Sequence, residues 1–79
     1  MLDSGMINKM QKARTYADQP ERIHFKDFRI EFDGNHSQHT VEFHDGAWRC
    51  DCGYFQGHQT CSHVMAIDRV LGVMGPQPV

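Results

Sequence analysis

"HTVEFHDGAWRCDC", residues His39 to Cys52, decides how the chain folds. Asp45-Gly46 reads as a two-residue turn of the primed type, because alternating apolar and polar residues flank it on both sides. With a turn of that length, Phe43 faces Trp48, Glu42 faces Arg49, Val41 faces Cys50 and His39 faces Cys52. Strand side chains alternate with period two, so Phe43, Trp48, Cys50 and Cys52 share one face. Glu42 and Arg49 then set opposite charges against each other on the other face. The stretch predicts a β-hairpin that brings two sulfurs to one side of a sheet.

Upstream, "RIHFKDFRIEF" (Arg22–Phe32) is rich in aromatic and β-branched residues and predicts a third strand. Ile23 and Phe25 alternate in one phase, and Phe28, Ile30 and Phe32 in the other. A bulge or kink at Lys26–Asp27 would reconcile the two. "DGNHSQ" (Asp33–Gln38) is a turn-rich connection. Before it, "DSGMINKMQKARTYADQPE" (Asp3–Glu21) reads as an amphipathic helix capped by Asp3 or Ser4. Met6, Ile7, Met10, Ala13 and Ala17 form its stripe, Lys9, Lys12 and Arg14 its other side, and Pro20 ends it. The reading favours a stripe packed on the sheet, with a partner-binding helix as the alternative.

Downstream, Thr60 is placed to cap a second helix whose stripe is Val64, Ile67, Val70 and Leu71, and Gly72 is a natural stop. The expected fold is α+β in a single domain over residues 1–79. It comprises an N-terminal helix (1–20), a strand and loop (22–38), a ββα finger with its C-terminal helix (39–72) and a loose tail (73–79). The sheet is expected to be three-stranded and antiparallel.

A chain of 79 residues that is 39% hydrophobic builds a modest core, and domains of this size commonly need a disulfide, a metal or a partner as a staple. The formal charge of −2 gives no overall attraction to nucleic acid. The N-terminus is polar and no apolar run reaches the roughly 18 residues of a membrane span, so the expected setting is cytoplasmic, without a membrane partner. In a reducing compartment, clustered cysteines bind metal more often than they form disulfides.

All three cysteines fall between Trp48 and His63, in "WRCDCGYFQGHQTCSH". Counted as ligands, they give Cys-x-Cys, eight residues, then Cys-x-His. Zinc takes four such donors in a tetrahedron, and three cysteines with one histidine is a common structural set. Cys50 and Cys52 point the same way from a strand. Cys61 and His63 lie in the first turn of a helix, where free N–H groups and the positive dipole end favour a thiolate. Gly53 and Gly57 let the intervening loop double back. Four protein donors fill the coordination sphere of one Zn²⁺ per chain, which describes a closed structural site rather than a catalytic one.

This spacing, with a hairpin before it and "CSHVMAIDRVL" after it, resembles the SWIM-type zinc finger over about residues 39–72. The resemblance implies a ββα zinc-binding module held by Cys50, Cys52, Cys61 and His63. It also implies a role in DNA or protein binding, of the kind inferred for the family in helicase-type ATPases, transposases and signalling proteins.

Other readings of these residues compete less well. A Cys50–Cys52 disulfide would close a strained ring. A catalytic Cys–His pair would leave two cysteines without work and has no orienting group in view. Release of zinc on thiolate oxidation is an added property rather than a rival reading. His58 is the alternative fourth ligand, and His39 is placed as a second donor around the Cys52 thiolate. Tyr54 and Phe55 sit in a ligand loop without a strand or helix to bury them, so one of the two is expected to be exposed, and with Gln56 they are the candidates for a contact surface. Charges between Ala47 and Val79 cancel, and three thiolates around one dication add about −1, so the finger disfavours phosphate. The sequence therefore favours a non-catalytic module with a protein partner. DNA binding is the alternative, followed by a zinc- or thiol-dependent enzyme.

Overall fold

The hairpin forms in the register that its turn dictates. In the computed structural model, which describes residues 3–76, Asp45 and Gly46 take φ of 52° and 79°. Two successive positive values define a type I′ turn, whose twist matches the strands it joins. Strands β2 (Gln38–His44) and β3 (Ala47–Cys50) pair antiparallel, with Phe43 opposite Trp48, Glu42 opposite Arg49 and Val41 opposite Cys50. On the other side of β2, β1 (Phe28–Asp33) sets Phe28 opposite Phe43 and Ile30 opposite Val41, giving sheet order β1-β2-β3. Glu42 turns its carboxylate to Arg29 of β1, 3.5 Å from Nε.

Period two then collects Phe28, Ile30, Phe32, Val41, Phe43, Trp48 and Cys50 on one face. Helix α1 spans Ser4–Ala17, a short helix α2 spans Gly53–His58 and α3 spans Ser62–Leu71. Val64 and Ile67 of α3 pack with Val41, Cys50, Phe55 and Cys61 to form the core, and Ile30, Phe32, Trp48, Cys52 and Leu71 close around it. A second aromatic group joins Phe28, Phe43 and Trp48, with ring centroids 5.3–5.8 Å apart. The architecture is the α+β arrangement that the sequence predicts.

Several local expectations are corrected. Of the two ways to change phase before Phe28, the chain takes the bend, at Asp27, and not the bulge: β1 starts at Phe28, and Pro20–Arg22 form a single 3₁₀ turn ahead of it. The ligand loop is not irregular, since α2 occupies it. Gly53 and Gly57 are helical, and the chain reverses at Gln59, whose φ is 60°. Cys61 rather than Thr60 stands at the N-cap of α3. Val70 points outward and is 80% exposed. Residues 73–79 read as a loose tail, yet Gly72–Met74 form a 3₁₀ turn, the Phe25 N–H donates to the Met74 carbonyl at 2.8 Å, and Gly75 is buried. The end of that stretch, 77–79, lies outside the described residues, as do residues 1–2 of the predicted N-terminal helix.

The largest departure concerns α1. Asp3 caps it as expected, its carboxylate accepting from the Met6 N–H at 2.7 Å. Its apolar stripe does not reach the sheet: none of its residues is buried, and Met6, Ile7 and Met10 are 47%, 44% and 53% exposed. The radius of gyration of 16.6 Å exceeds the roughly 12 Å of a compact chain of this length, because the helix stands away from the core. The core cluster is made by β1–β3, α2 and α3 without it.

Candidate metal centre

Three elements meet at one point below the sheet. Cys50 is the last residue of β3. Cys52 stands at the N-cap of α2, Cys61 at the N-cap of α3, and His63 in the first turn of α3. Their ligating atoms all lie within 4.8 Å of one another. Nδ1 of His63 sits 3.7 Å from Cys50 Sγ and 3.7 Å from Cys61 Sγ. A tetrahedral zinc, with Zn–S about 2.3 Å and Zn–N about 2.0–2.1 Å, sets its donors roughly 3.5–3.8 Å apart. The donor set and its spacing therefore fit zinc.

The electrostatics of the pocket ask for a cation. Cys50 and Cys61 are buried and Cys52 is half-buried; no two of the three are bridged. Burial, with the Cys52 and Cys61 thiols beside it, pushes the Cys50 thiol up to about 12 from an ordinary 9.0. Cys52 goes the other way, because the Phe55 backbone N–H at the start of α2 favours its thiolate. A dication bound among the donors replaces the Cys50 proton and stabilises the thiolates.

His63 is held by rings on two sides. Phe32 meets it edge-on at 4.9 Å, and His39 lies across it at 4.4 Å with 35° between planes. Phe32 and His39 are cross-strand neighbours on β1 and β2. The strand ladder ends at Val41–Cys50, so His39 does not pair with Cys52 as the hairpin register implied. His39 instead pairs through Nδ1 with Asp51 Oδ1 at 3.0 Å, and Asp51 Oδ2 accepts from the Thr40 N–H at 3.2 Å. This hydrogen bond to His39 holds the Asp51 carboxyl below its usual range.

The remaining candidates scatter. His58 stays out of the cluster: its Nδ1–H donates to the Tyr54 carbonyl at 3.0 Å and its ring stacks on Tyr54 at 3.8 Å. Phe55, placed by sequence on a contact surface, is a core residue at 9% exposure, because α2 turns it inward. Tyr54 is outside at 59%, and exposed Gln56 spends its amide on the Cys50 carbonyl at 3.0 Å. Sequence reasoning missed Asp51 and Phe32 as neighbours of the site. Asp51 carried a signal, since it separates the two cysteines of Cys-x-Cys and so points away from the metal toward β2.

Fold and site together define a small α+β zinc-finger module with a Cys₃His donor set. Residues 31–67 match the family model of the SWIM zinc finger, so the likeness read from the motif is borne out. The matched stretch starts within β1 and ends at Ile67 in α3, enclosing all four donors. No curated protein and no solved structure matches the chain. Among the described residues, no helix is long and apolar enough to cross a membrane.

Proposed function

We propose that the chain is a non-catalytic interaction module, folded around one zinc ion and binding an acidic partner protein through α1. The observation that carries this reading is the uncovered stripe of Met6, Ile7 and Met10. A fourteen-residue helix is marginal alone in water, and exposed methionines suit an adaptable protein contact. Its charge selects the partner. Lys9, Lys12 and Arg14 lie on α1, while all ten acidic residues of the chain lie outside it. A groove lined by Asp or Glu around an apolar floor complements such a helix. DNA would use the cations but leave the stripe in water, and the net charge of the remaining chain opposes phosphate.

Four donors from the protein favour a structural zinc over a catalytic one, which keeps a position open. The three unbridged thiols suit a reducing, cytoplasmic setting.

The test is affinity capture of zinc-loaded protein from nuclease-treated native lysate, alongside the M6D/M10D and K9E/K12E/R14E variants. The expected result is an acidic protein retained by the wild type and rebound one-to-one after purification, lost with either variant while zinc content stays at one per chain. Binding that survives both variants refutes the docking helix. Binding that disappears with nuclease, or scales with anionic vesicles, replaces the protein partner with nucleic acid or lipid.

A further inference from the structure

We infer that His39 and Asp51 form a positioning clamp that holds the ring of His63 with Nδ1 toward the three sulfurs. The inference rests on the zinc reading of the site and goes beyond the four ligands. A histidine ligand has two soft torsions and two nitrogens, so a binding site gains affinity when something fixes the ring before the metal arrives. Here the ring is sandwiched: Phe32 edge-on at 4.9 Å and His39 tilted across it at 4.4 Å.

His39 can serve as a wall because its own ring is fixed at both nitrogens. Nδ1 meets Asp51 Oδ1 at 3.0 Å, and Nε2 meets Ser37 Oγ at 3.3 Å. Asp51 in turn is held by the Thr40 N–H on its second oxygen and donates its own N–H to the Thr40 carbonyl at 3.3 Å. The contacts form a closed path. Asp51 lies between two of the sulfur ligands, reaches across to β2, orients His39 there, and His39 returns to the nitrogen ligand. The residue inside Cys-x-Cys therefore sets the geometry of the histidine eleven positions beyond the second cysteine. An ionised carboxylate on one side of the His39 ring also makes that ring electron-rich, which favours stacking on an imidazole that gives density to a metal.

Zinc affinity by chelator competition and the d–d spectrum of the cobalt-substituted protein test this. H39A and D51N are expected to weaken zinc binding by about 10- to 100-fold and to broaden the cobalt bands, as the histidine samples more than one orientation. H39F, which keeps a flat ring against His63 without the hydrogen bonds, should recover part of the affinity lost in H39A. G46A, in the hairpin turn and outside the core, should lower thermal stability and leave the cobalt spectrum unchanged. If H39A and D51N bind zinc within threefold of wild type, or if G46A alters the spectrum as they do, the clamp is refuted. Should H39A fail to fold, H39F and D51N carry the same comparison. A wild-type protein that takes up neither metal refutes the zinc reading itself, a result distinct from failure of the clamp.

Discussion

Removing zinc should dismantle the sheet–helix packing, and the structure says why the effect is large. Of the six residues at the centre of the core, Cys50 and Cys61 are also members of the donor cluster, so a metal bound there would be continuous with the apolar core. It would tie the end of β3 to the starts of α2 and α3. Structural zinc sites contribute about 10–16 kcal/mol at neutral pH, whereas a domain of this length has roughly 4–12 kcal/mol of total stability. Loss of the ion therefore exceeds what the fold holds in reserve. Trp48, within 5.3 Å of Phe43 and 5.5 Å of Phe28, is the natural reporter. Helix content is not, because α1 lies outside the core. Chelation under reducing conditions should red-shift Trp48 emission and abolish its near-ultraviolet dichroism, and one equivalent of zinc should restore both. A zinc-free protein that keeps both signals and melts within about 5 °C of the loaded form, equivalent to roughly 1 kcal/mol, would refute the coupling of metal to core.

Four further outcomes are expected. Phe55→Ala should destabilise the loaded protein by about 3–5 kcal/mol in denaturant unfolding, whereas Tyr54→Ala should cost no more than the roughly 0.5–1.5 kcal/mol of an aromatic pair; equal effects would undo the assignment of Phe55 to the core. Because Cys50 holds its proton up to about 12 in the metal-free site, zinc must displace it, so affinity should rise with pH and fall as the medium is acidified; a pH-indicator titration with no proton release on zinc binding contradicts this. Gly46→Ala, at a φ of 79°, should cost about 1–2 kcal/mol through left-handed strain, read as a lower denaturation midpoint without change in zinc content. In hydrogen exchange, the α1 amides of the isolated protein should exchange far faster than those of β2, since no tertiary contact buries that helix; protection matching the sheet would show that α1 is covered.

The hairpin and the donor set were legible in the sequence because both are short-range. Asp45-Gly46 fixes a register by itself, and Phe43, Trp48 and Cys50 follow from period two. Cys61 and His63 sit at a helix start whose stripe was readable apart from Val70. The ligand loop was not legible for the opposite reason. Two glycines in "GYFQGH" argue against a helix, and α2 forms because Cys52 is anchored on one side and Phe55 finds the core on the other. Tertiary burial overrides propensity there, and it decided which of Tyr54 and Phe55 is exposed and which joins the core. The fate of α1 was hidden for a third reason. Its pattern states that a face is apolar, and nothing local states whether that face is covered from within the chain or from outside.

That last point gives the molecule a division of labour. The finger, from β1 to α3, closes on itself around the Cys₃His cluster and leaves Tyr54, Met65 and Val70 at its surface. It also carries most of the acidic residues, so it offers poor attraction to anions. Helix α1 has the complementary properties: cationic, apolar on one side and without a buried residue. On the proposed reading, a module stabilised by zinc does not need α1 for folding, and the helix would be free to keep a sequence suited to a partner. The same logic separates the two kinds of damage a substitution can do. Changes at the ligands or at Phe55 should remove the fold and with it any binding, whereas changes on Lys9, Lys12, Arg14, Met6 or Met10 should remove binding from a protein that still holds its zinc.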